Sequence, residues 1–180
     1  MQFGPETTEA EIQSYVKRIF DLDVSVKIQA WIRGGYAAQA EYSTNKLIFS
    51  RSFLKHYYPQ TIRETLWHEV GHIMSHKTKC PTKREVEAHM WSLKFARRKG
   101  FNKVYDDLVH HVYEWQELDP KRYIIYRRAA KQILREMKRC RLPDTWGKCL
   151  KSKAARGVST KTTATSAKTT TRKNSGASSS

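Results

Sequence analysis

His68 and His72 stand four residues apart, with Glu69 between them, in the run Thr65-Leu66-Trp67-His68-Glu69-Val70-Gly71-His72-Ile73-Met74. On a helix, positions i and i+4 lie one turn apart on the same face. Two imidazoles so placed can hold one Zn²⁺ through a ring nitrogen each. The Glu69 carboxylate then projects beside the metal, where it can take a proton from a bound water. Ile62, Leu66, Val70 and Ile73 recur around the pair at helical spacing, which predicts a helix with one side in a core. That setting favours a metal pair over two histidines placed by chance. The chemistry it points to is hydrolysis by a metal-activated water.

A catalytic zinc takes three protein ligands and leaves one position for water. The segment Arg84-Glu85-Val86-Glu87-Ala88-His89-Met90-Trp91 follows at short range and offers Glu85, Glu87 and His89. Successive helical positions point about 100° apart, so the three cannot all face one metal. Glu87 shares a side with Ala88, Trp91 and Phe95, the side expected to pack, and is the preferred ligand. Glu85 lies three residues after Thr82, where a capping box explains it, and His89 stays open as an alternative. His76 would extend the row on the first helix, but a linear row closes a tetrahedron poorly. His110 and His111 read as solvated positions.

The elements that position these residues are legible from periodicity. Thr8 and Glu11 form a capping-box signature ahead of Ile12, Tyr15, Val16, Ile19 and Phe20, a first helix. Val24 to Ile32 alternates as a strand, Gly34-Gly35 turns the chain, Tyr36 to Tyr42 alternates more weakly, and Lys46 to Ser50 forms a third strand. Short connections predict a small antiparallel sheet. Helical turns at Ser52 to Tyr58 end at Pro59, and the motif helix follows from Gln60 to Ser75. Further helices are expected over Lys83 to Lys99, stopped by Gly100, over Asn102 to Glu117, and from the Asp119-Pro120 start to about Arg139. The order gives an α+β fold: an N-terminal helix, a small antiparallel sheet, the motif helix, then C-terminal helices.

Residues 1–145 form the expected domain, large enough for one core. From 146 to 180 the chain becomes rich in Lys, Thr and Ser, and from Lys151 onward it holds seven basic residues and no acid or aromatic. Such a tail is expected to be disordered. Of 34 basic residues these seven fall in the tail, which leaves 27 against 17 acids in the body. Both parts are basic, so a polyanion is a plausible neighbour. On the last helix Arg128, Lys131, Arg135 and Lys138 make a stripe that could track nucleic-acid phosphates without reading sequence. Cys80, Cys140 and Cys149 have no metal-ligand spacing, Met1 to Ala10 is acidic and polar, and no apolar run reaches the ~20 residues of a membrane span. A cytoplasmic monomer with reduced thiols and no membrane contact is expected.

The His68-Glu69-Val70-Gly71-His72 motif followed by Glu85-Val86-Glu87-Ala88, over roughly Val24 to Phe95, resembles the zincin metallopeptidases. It is most similar to the minimal gluzincins of the ImmA/IrrE-like type found in phages and bacteria. The resemblance implies a zinc-dependent peptidase acting on protein or peptide substrates. Zinc would sit on His68, His72 and Glu87, with Glu69 as general base. The SprT-like family, DNA-associated proteases with a histidine as third ligand, is a second resemblance. Tyr113, Tyr123 and Tyr126 are candidates to stabilise the oxyanion, and the strand at Tyr36 to Tyr42 to align substrate. A binding module on a zincin scaffold is the rival reading.

Overall fold

The computed structural model describes residues 3–75 and 78–145. His76, Cys149 and the basic tail expected to be disordered lie outside the described residues. Within them the chain is α+β, with six helices and a three-stranded sheet: α1 (Glu9–Phe20), β1 (Ser25–Gln29), β2 (Ala38–Glu41), β3 (Lys46–Ser50), α2 (Arg51–His56), α3 (Pro59–Ser75), α4 (Pro81–Lys99), α5 (Asn102–Glu117) and α6 (Ile124–Arg139). No helix among the described residues is long and apolar enough to cross a membrane.

α1 starts as its capping box requires. The Thr8 N–H donates to Glu11 Oε2 at 2.8 Å, and the Thr8 hydroxyl accepts from the Glu11 N–H. Its apolar stripe of Ile12, Tyr15, Val16 and Phe20 is buried. There it meets Trp67 of α3, whose indole N–H donates to the Tyr15 hydroxyl at 3.1 Å and whose ring stands edge-on to Phe20. Trp67 thus ties the motif helix into the core from a side about 100° around the helix from His68.

The sheet is mixed, which corrects the antiparallel expectation. Its order is β1-β3-β2, with β1 parallel to β3 and β2 antiparallel to it. The Gly34-Gly35 segment does not join a hairpin. It carries the chain past β3, and the hairpin is β2–β3, turned at Asn45 in the left-handed region. Burial decides the order. Leu47, Ile48 and Phe49 of β3 are all buried, so β3 takes the centre. β1 and β2 are the edges. The Ile28 N–H on β1 is covered by Glu9 at 2.7 Å, whereas β2 lies beside α3.

α3 and α4 pack very closely. A Cβ on Gly71 would overlap the Ala88 carbonyl oxygen and stand 2.8 Å from Ser92 Oγ. Ser92 Oγ in turn donates to the Trp67 carbonyl at 2.7 Å. Gly71, Ala88, Ser92 and Ala96 are the small residues that allow two backbones to approach. α4 ends at Gly100, left-handed with φ 75°, as expected. α6 begins at Ile124, later than Asp119-Pro120 suggests. Asp119 Oδ1 accepts from the Lys121 and Arg122 N–H groups and caps a turn ahead of the helix.

Candidate metal centre

On α3, His68 and His72 lie one turn apart with ring centroids at 4.6 Å. His68, Glu69 and His72 offer ligand atoms all within 4.8 Å of one another. The third group to reach the pair is Glu85. Its Oε2 stands 3.0 Å from His68 Nε2 and 3.3 Å from His72 Nε2. Two imidazole nitrogens and one carboxylate oxygen, with His68 and Glu85 buried and His72 half-buried, make the donor set that a tetrahedral zinc with one open position takes. The residues present fit the ion.

Glu87, the ligand expected from the sequence, is not there. It lies 3.9 Å from Lys83, one turn back on its own helix, and meets neither histidine among the described contacts. The reason is where α4 begins. Cys80 is the N-cap and Pro81 the first helical residue, so Thr82 lies inside the first turn and caps nothing. Glu85 is thereby freed from the capping role. With Ala88, His89, Ser92 and Ala96 it falls on the face that meets α3, while Glu87 is two residues, roughly 200°, around the helix. The small residues at 88, 92 and 96 were the sequence signal for that face.

His89 does not join the ligands either. It is fully buried, with Nε2 2.9 Å from the Leu108 carbonyl of α5. Its ring lies 5.6 Å from His68 and 5.2 Å from Trp115, between centroids. His111, expected in solvent, turns inward: Trp115 Nε1–H donates to its Nε2 at 3.0 Å, and burial holds its pKa down at about 3. His110 stays half-buried beside Glu114.

The electrostatics follow from burial and from the charges held together. Burial raises the pKa of Glu69, against the opposing pull of His72 and His68 and a hydrogen bond from the Ala40 backbone. Burial likewise raises Glu85 and, by disfavouring the cationic form, lowers His72. It is outweighed by their mutual hydrogen bond and nearby opposite charges, so Glu85 is held well below the carboxylate range and His72 is raised. Glu64, one turn before His68, escaped sequence reading altogether. It is 2% exposed, its Oε1 has no hydrogen-bond partner among the described residues, and burial lifts its pKa to about 8. Nothing in the sequence marks it, since an acid on an amphipathic helix ordinarily faces water.

The centre lies at the foot of an open cleft with two lobes of about 480 and 440 Å³. Both lobes touch Glu69, His72 and Glu85, and share walls from Tyr36, Ala38, Ile125 and Tyr126. β2, from Ala38 to Glu41, lines one of them. Of the three tyrosines considered, Tyr113 donates to Asp144 at 2.7 Å, and Tyr123 lines only the second lobe. Tyr126 stands edge-on to Trp115 at 5.0 Å and faces both lobes. Burial, then the charges of Glu85 and Glu69, push its phenol up, so it is an O–H donor at all working pH.

Arg128, Lys131, Arg135 and Lys138 are all exposed, opposite the buried Ala129, Ala130, Ile133 and Met137 of α6. None of the four forms an ion pair with a described residue. Comparison with known proteins returns no match to a family model, a curated protein or a solved structure.

Proposed function

We propose that the chain is a zinc-dependent metallopeptidase of the zincin kind, with His68, His72 and Glu85 as the metal-holding residues. The convergence of Glu85 Oε2 on both Nε2 atoms, 3.0 and 3.3 Å away, carries the reading. Zinc held by these residues would supply a water acidified toward pKa ~7 and a Lewis acid for the scissile carbonyl. Glu69, beside the site, would take a proton from the attacking water and pass it to the leaving amine, and its raised proton affinity suits that carrier role. Tyr126 offers the developing oxyanion a neutral donor from across the cleft. An extended substrate can align along β2, the strand that borders the site. The HExxH pattern and the order of helix, sheet, motif helix and glutamate helix support the zincin reading.

Glu69→Gln tests it. Zinc should stay bound while peptide hydrolysis falls by at least about 10²-fold. Unchanged hydrolysis would remove Glu69 as the base, and with it this mechanism.

A second reading concerns location. The four cations on the outer face of α6 favour a sequence-independent contact with nucleic-acid phosphates, made by the same helix that walls the cleft with Ile125 and Tyr126. Affinity that does not fall with salt would end it.

A further inference from the structure

Donor and acceptor bookkeeping around the buried histidines assigns a role to the one that the metal reading leaves over. A carbonyl oxygen only accepts, so the 2.9 Å contact with Leu108 requires the proton of His89 on Nε2. His89 is fully buried and its one hydrogen-bond partner among the described residues is a neutral carbonyl, with no carboxylate bonded to it to offset a buried charge, so the ring is neutral. Its Nδ1 is therefore a bare acceptor, and it has no donor among the described residues.

His68 presents the complementary problem. Its Nε2 faces Glu85, the atom that would ligate the metal, and its Nδ1 is also buried without a partner. A neutral imidazole that ligates through Nε2 keeps its proton on Nδ1. The two rings are 5.6 Å apart between centroids and tilted by 47°, a separation at which two ring nitrogens turned toward each other come within hydrogen-bond range. One orphan is a donor in the metal-ligating tautomer and the other is an acceptor in the neutral tautomer that the Leu108 carbonyl selects.

We propose that His89 is the positioning residue for the metal ligand His68: its Nδ1 accepts from His68 Nδ1–H, while its own Nε2–H is anchored on the Leu108 carbonyl of α5. The chain Leu108 C=O, His89, His68 selects the His68 tautomer that leaves Nε2 free to bind. It also couples α4 and α5 to the ligand geometry. The competing donor is His111. Its Nε2 accepts from Trp115, so its neutral ring carries the proton on Nδ1, but its centroid is farther from His89, at 6.0 Å. The assignment rests on the metal reading above.

Zinc affinity measured by chelator competition on the full chain tests it, with thermal melting of the metal-free form as the structural control. His89→Leu should weaken zinc binding by about 10- to 100-fold. Its metal-free melting temperature should change little, because the substitution removes a buried orphan acceptor along with the bond to the Leu108 carbonyl. His89→Asn, which keeps an acceptor, should weaken binding less. In the zinc-loaded wild type, nitrogen NMR should show His89 protonated on Nε2 alone and a coupling from His68 Nδ1–H to His89 Nδ1. A His89→Leu variant that binds zinc as tightly as wild type overturns the assignment, as does a coupling to His111 instead. A wild-type chain that takes up no zinc overturns the metal reading and this assignment together, whereas the first two results overturn the assignment alone.

Discussion

Gly71→Ala puts the close packing of α3 on α4 to a quantitative test. In an isolated helix the change stabilises by about 1 kcal/mol, because alanine is the better helix former. Here the added methyl would overlap the Ala88 carbonyl oxygen and stand 2.8 Å from Ser92 Oγ. Ala88 O is backbone and cannot rotate away, so the helices must part. Overpacking of this kind costs about 1–3 kcal/mol, and a rigid neighbour places it at the upper end. Ser92 Oγ also donates to the Trp67 carbonyl at 2.7 Å, and losing that bond adds roughly 1 kcal/mol. The net is a destabilisation of about 2–3 kcal/mol, or a fall of roughly 5–10 °C in Tm, read by calorimetry on the metal-free protein. Because Glu85 rides on α4 one turn before Ala88, the displacement should weaken zinc binding as well. A Tm unchanged or raised would show that the two helices separate without cost, and would refute the packing argument.

Glu64→Gln should change how stability depends on pH. The folded pKa of Glu64 is raised from 4.5 to about 8, so its protonated form favours folding: the contribution is complete below about pH 4.5 and is lost as pH rises to about 8. Denaturant melts should show the wild type losing on the order of 3–5 kcal/mol relative to the variant across that window; parallel profiles would contradict it. Tyr126→Phe should lower kcat with KM nearly unchanged, since the phenol is assigned to the oxyanion; a change confined to KM would make it a substrate contact. Replacing Arg128, Lys131, Arg135 and Lys138 with Gln should leave Tm alone. It should also reduce the slope of log affinity for duplex DNA against log salt by roughly 3–4. A slope that does not move would clear α6 of phosphate contacts.

Where a signal was local, the sequence carried it. Thr8 and Glu11 set the start of α1, Gly100 set the end of α4, and the spacing of Ile62, Leu66, Val70 and Ile73 placed the motif helix with its histidines on one face. Where the outcome depends on what packs against what, local signals failed. β1 pairs with β3 because the apolar run Leu47-Ile48-Phe49 takes the middle of the sheet, a choice made by burial and invisible to a turn at Gly34-Gly35. Glu85 and Glu87 differ only in which side of α4 they occupy. A start at Pro81 and a contact face of Ala88, Ser92 and Ala96 decide between them. Glu64 and His111 look like solvated polar positions until α3, α4 and α5 pack together, with α5 beside Glu64 and His111 turned toward His89 and Trp115.

The most direct measurement is zinc content and affinity of the wild type beside Glu85→Gln and Glu87→Gln. Elemental mass spectrometry should find about one zinc per wild-type chain. Glu85→Gln should lose most of it, and Glu87→Gln should bind as the wild type does. A wild type that takes up no zinc, or a Glu87 variant that loses the metal while the Glu85 variant keeps it, would contradict the centre built from His68, His72 and Glu85.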